Sequence, residues 1–182
     1  GLSQDEPRIA RMLKKVSAAR KLRPKKPVTG KTLDRAALLE RVKEHVAREV
    51  PKDAIHNEGL AMKLLGLVPP DFDYEKEMYA LLQAQLAGYY EPADRTMYMA
   101  ADLDEDNARA TLAHELVHAL QDQYWDLSTR SKYKRGQGDL SSTLSALAEG
   151  DATSAMFDVL LGGTGRSAID LPEEIFTEQI IQ

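Results

Sequence analysis

Apolar residues recur every three or four positions along most of this chain, a spacing that predicts a largely helical protein. Ile9, Met12, Leu13 and Val16 mark a helix over 6–22, ended by Pro24 and Pro27. Leu38, Leu39, Val42, Val46 and Val50 mark a second over 33–50, stopped by Pro51. A third is expected over 53–65 with Gly66 as a left-handed cap, then a turn at 67–71 that packs back. Asp73 caps a fourth, carried by Met78, Leu81, Leu82 and Leu86 and ending at Gly88. There the period changes: 89–91 and 96–100, flanking Pro92 and Arg95, read as the two short strands of a hairpin. Helical spacing resumes from Ala108 to Trp125, with Asp104, Glu105 and Asp106 supplying a cap and negative charge at its start. Residues 126–138 are polar and read as a loop, and Asp139 or Ser141 caps a further helix through Leu160, ended by Gly162 and Gly163. A last helix begins at Pro172 and stops without a closing signal, which reads as a C-terminal truncation. The expected fold is α+β, mostly α-helical, with a short β-hairpin ahead of the helix at 108–125.

Length and charge add a division to this picture. The 182 residues suit one domain, or one domain with an appendage. Residues 1–31 carry ten Lys and Arg against Asp5 and Glu6, a local +8, while the remaining 14 basic and 27 acidic residues give −13. The expected organisation is therefore a basic N-terminal helix and linker, 1–31, and a body, 32–182. The expected reading of such an arm is a solvated leader joined by Arg23-Pro-Lys-Lys-Pro27, with binding to nucleic acid or a membrane surface, or docking on the acidic body itself, as the alternatives. The arm contains no aromatic residue to stack on bases, so no nucleic-acid partner is expected. Gly30-Lys31-Thr32 imitates the end of a phosphate-binding loop, but Lys25 stands where its first glycine belongs and no strand is predicted before it. No apolar run reaches eighteen residues, so no transmembrane segment is expected. Cysteine is absent, which excludes disulfides, thiolate metal sites and cysteine nucleophiles.

The chemistry sits in the helix after the hairpin, where His114, Glu115 and His118 spell H-E-x-x-H. On a helix the two histidines lie about 40° apart and about 6 Å along the axis, so both rings can bind one Zn²⁺. Glu115 lies beside them, able to serve a water as general base. A catalytic zinc needs a third protein ligand. The continuation with glycine and a third histidine is missing, since Gln121 and Tyr124 occupy those places. His45 and His56 stand in no ligand pattern and read as surface or boundary residues. Glu173, Glu174 and Glu178 form a charged cluster of the kind found on solvated faces. Glu149, between Ala148 and Gly150, is the preferred third ligand, with Gly150 expected to permit close approach to the metal helix.

With these residues placed, the chain resembles the gluzincin metallopeptidases, the group of thermolysin-like proteases, zinc aminopeptidases and minigluzincins. The H-E-L-V-H helix and the segment Ala148-Glu-Gly-Asp-Ala152 carry the resemblance, and the Gly88-Tyr-Tyr-Glu-Pro92 hairpin is similar to that of often exported bacterial members. It covers about residues 73–162. The resemblance implies a zincin-like catalytic domain, Zn²⁺ held by His114, His118 and Glu149, and Glu115 polarising water for attack on a peptide carbonyl. The substrate is then a peptide or protein whose backbone extends along the upstream strand. The compartment stays open, with export as what the resemblance suggests, and the oligomeric state is open too. Three departures stand out: the interval from His118 to Glu149 is long, Thr153 replaces the usual aspartate four residues after the glutamate, and the downstream region that supplies an oxyanion donor is short. Asp122 or Asp151 is expected to orient a ligand histidine instead, and Tyr133 or Tyr124 to stabilise the oxyanion. A zinc-bound but inactive scaffold is the alternative, and a basic-arm interaction protein with a structural zinc is a second.

Overall fold

The computed structural model describes residues 5–130 and 138–175. Helix α1 (Asp5–Arg20) leads into strand β1 (Thr29–Leu33), followed by α2 (Arg35–Glu49), α3 (Ala54–Leu64) and α4 (Tyr74–Gln85). The hairpin β2 (Gly88–Glu91) and β3 (Thr96–Ala100) comes next, then the long α5 (Glu105–Trp125), a single turn α6 (Leu127–Arg130), α7 (Gly138–Leu160) and a 3₁₀ turn at Ala168–Asp170. The fold is α+β, predominantly helical, with a small sheet. No helix among the described residues is long and apolar enough to cross a membrane.

The hairpin forms where the period changed, but it is not alone. Residues 29–33 pair in parallel with β3, from Thr29 opposite Thr96 to Leu33 opposite Ala100, so the sheet runs β1-β3-β2. Sequence pattern missed β1 because Thr-Gly-Lys-Thr-Leu has no apolar alternation. Its burial comes from α1, which lies over Gly30 so closely that a Cβ there would collide with Ile9. The expected division between a 1–31 arm and a 32–182 body therefore falls inside a strand. The amphipathic face of α1 is a core face: Ile9, Met12 and Val16 are buried with Met97 of β3, with Leu112, Leu116, Val117 and Leu120 of α5, and with Ala152, Ala155, Met156 and Val159 of α7. Each buried leucine or valine of this set contributes about 1.5–3 kcal/mol of transfer free energy. Arg11, Lys14 and Lys15 lie exposed on the other side of α1.

Alternation along β3 gives the sheet two faces. Met97 faces α1 and α5, whereas Tyr98 turns to α2 and joins Leu38 and Ala100 in a second, smaller cluster. The Tyr98 hydroxyl meets Asp94 at 2.7 Å and Arg41 of α2 at 2.6 Å. Glu91, buried at the end of β2, accepts from Arg48 and lies 2.9 Å from His45 Nδ1, so His45 is a boundary residue with a carboxylate partner. Helix α2 is thereby tied to the hairpin through several of its turns.

Helix boundaries follow the caps. Asp34, Asp73 and Asp104 each accept from the backbone amide three residues on, and Gly66 is left-handed at φ 68°. Asp126 ends α5 in a left-handed conformation, and α6 then occupies part of the stretch expected to be a loop. The turn at 67–71 does not pack back, since Leu67 is two-thirds exposed.

Candidate metal centre

Helix α5 is positioned from three sides: by α1 and α7 across its apolar faces and by β2 along its length. Gly88 fits between β3 and α5, for a Cβ there would sit 2.5 Å from the carbonyl oxygen of Tyr98 and 3.1 Å from Thr111 Cγ2 of α5. His114 and His118 stand one turn apart on α5, and Glu149 comes to them from α7. His114 Nε2 lies 3.0 Å from Glu149 Oε2, His118 Nε2 lies 3.4 Å from Glu149 Oε1, and the two Nε2 atoms are 3.1 Å apart. Ligands about 2.0–2.1 Å from a tetrahedral centre stand about 3.3 Å from one another. The observed separations are close to that spacing, with the carboxylate of Glu149 turning one oxygen to each histidine. Two imidazole nitrogens and a carboxylate oxygen aimed at one point are a set that could hold a metal ion.

The ionisation of the cluster points the same way. Hydrogen bonds from His114 and then His118 hold the Glu149 carboxyl far below the usual carboxylate range. Burial opposes a charge on His118, but the Glu149 hydrogen bond and the negative charges of Glu115 and Glu149 outweigh it and raise its pKa to about 9. Two facing imidazoles and a carboxylate thus draw in positive charge, as a proton or as a cation that displaces it.

Glu115 takes no part in this triangle. Its carboxylate turns to the strand, where Oε2 accepts the backbone N–H of Tyr90 at 2.9 Å. Burial pushes its pKa up, while the positive charge available to His118 and His114 and the Tyr90 N–H pull it back. Tyr90 is fixed at its other end as well, since its hydroxyl reaches Asp122 Oδ2 at 3.3 Å. The strand is therefore clamped to one face of α5 through two residues of that helix.

The expected orienting aspartates do not touch either histidine directly. Asp122 engages Tyr90, and Asp151 bonds Gln121. Gln121, which the sequence marks only as the occupant of a glycine position, is the partner of His118: its Oε1 lies 2.8 Å from His118 Nδ1. An i, i+3 spacing on one helix is the signal that could have found it. Tyr124 is not at the site, because its hydroxyl donates to the Arg23 carbonyl and Lys25 lies over its ring. Tyr133 lies outside the described residues. Gly150 meets open space, with no atom within 4 Å of the place a Cβ would take, so it is not what brings α7 to α5. Buried Ala152 and Ala155, further along α7, make that approach. No protein family, curated protein or solved structure matches the chain.

Proposed function

We propose that this protein is a zinc-dependent peptidase of gluzincin type with a zincin-like catalytic domain. The observation that carries the reading is the gathering of His114, His118 and Glu149 into one group that could hold a metal ion, with a carboxylate on the next helix position aimed elsewhere. Metal ligands and a general base need these separate directions, and H-E-x-x-H on α5 supplies both. A bound Zn²⁺ supplies a Lewis acid for the scissile carbonyl and acidifies water.

The chain's own groups account for the remaining work. Glu115, steadied by the Tyr90 N–H and withdrawn from solvent, accepts the proton of the attacking water and passes it to the departing amine. Strand β2 lies at the edge of the sheet among the described residues and runs against α5. An extended peptide that pairs with this edge would run along the strand that Glu115 holds, and Glu149 itself is exposed to solvent.

The test is Glu115→Gln. It is expected to retain one Zn²⁺ per chain and the wild-type unfolding midpoint, and to lose peptide hydrolysis by about 100-fold or more. Equal turnover by both proteins rejects the mechanism. Zinc uptake without turnover by the wild type identifies instead a zinc-binding scaffold.

A further inference from the structure

Beyond the ligands, His118 is the end of a polar chain that crosses three helices. Gln121 is 3% exposed, and its amide is fully committed: Oε1 to His118 Nδ1, Nε2 to the Ala148 carbonyl at 3.0 Å and to Asp151 Oδ2 at 2.9 Å. Asp151 in turn belongs to Arg20, at the end of α1. Arg20 Nη2 donates to the Asp151 backbone carbonyl at 2.8 Å, and its Nε lies 3.0 Å from Asp151 Oδ1 as a charge contact outside hydrogen-bonding angle. Arg20 Nη1 reaches Asp158 further along α7.

These directions permit one arrangement of the amide. Its NH₂ must face Asp151, which accepts, so its oxygen must face His118, which then donates from Nδ1. A ring that donates from Nδ1 presents Nε2 as its ligand atom. We propose that Gln121 is a positioning residue for the metal centre, that Arg20 sets its orientation through Asp151, and that the basic N-terminal helix is thereby part of the site. This rests on the metal reading above. It also assigns to one charge of α1, that of Arg20, a role within the body of the protein.

Zn²⁺ affinity of the full chain, measured by competition with a chromogenic chelator, provides the test, with thermal unfolding of the metal-free proteins alongside. Gln121→Leu is expected to weaken zinc binding by about 10- to 100-fold, the range for loss of a partner behind a ligand histidine. Arg20→Met, which leaves α5 untouched and serves if Gln121→Leu does not fold, is expected to weaken it by about threefold, a step further from the ligand. A folded Gln121→Leu protein with wild-type affinity overturns the proposal. So does an Arg20→Met protein that melts earlier but binds zinc unchanged, since that is a merely structural role. If the wild type takes up no zinc, the metal reading falls and this proposal with it.

Discussion

Helix α5 and the pair α3–α4 draw on the same leucine- and alanine-rich composition and use it in opposite ways. Along α5, Leu112, Ala113, Leu116, Val117, Ala119 and Leu120 are buried on two faces, against α1 and β3 and against α7. In α3 and α4, Gly59 is the one residue fully buried among those described, and Leu60, Leu64 and Leu81 stand close to half exposed or more, with Leu65 and Leu67 just beyond. The first region is held from several sides and carries the polar cluster. The second is held to α2 and to itself. A site that must keep three ligand atoms within a few ångströms needs the first kind of surroundings, because the rotamers of His114, His118 and Glu149 are as firm as the helices beneath them.

Several perturbations break or sharpen this contrast. The largest effect is expected from Leu116→Ala, fully buried in the core on the side of α5 away from the ligand histidines: a loss of about 2–5 kcal/mol, read from urea unfolding. Next comes metal itself. Zinc at about 100 times its Kd adds about 2.7 kcal/mol, and hydrogen exchange should show the added protection in α5 and α7 but not in α3 and α4. Uniform protection would mean that the two regions open as one. Gly150→Ala is expected to stabilise by about 0.8–1 kcal/mol, since the helix gains and no atom stands in the way of the methyl. Destabilisation there would show that α7 needs the glycine after all. The smallest change is Leu64→Ser, at 78% exposure, expected to stay within about 0.5 kcal/mol in the same unfolding assay. A larger loss would mean that the α3–α4 leucines are covered in solution.

What could be read from the chain beforehand follows the range of the interactions involved. The α5 histidine pair, its cap at Asp104 and the hairpin are local, each decided within a few residues, and all three form as expected. Glu149 stands beside the two histidines, although its link to α5 spans 35 residues, because helix followed by helix leaves few places for a carboxylate to meet them. Strand β1 failed to declare itself for the opposite reason. Its partner is 67 residues away, and Thr29-Gly-Lys-Thr-Leu33 owes its extended form to that pairing rather than to its own composition. The +8 charge of residues 1–31 likewise described one side of α1 and concealed the other, where Ile9, Met12 and Val16 do the packing. Gln121 escaped notice because an amide has no charge to attract attention, and its meaning depends on Asp151 from another helix.

The parallel pairing of β1 with β3 and the docking of α1 on α7 have a consequence for synthesis. Arg20 is 138 residues from Asp158, and a ribosome adding about 5–20 residues per second needs roughly 7–28 s to make the one after the other. For most of that time the first helix has left the tunnel while the surfaces that bury Val16 and Met12 have yet to be completed. Until α7 is made, the growing chain therefore exposes the apolar face of a positively charged helix. Holding that helix until α7 arrives falls to whatever binds emerging chains.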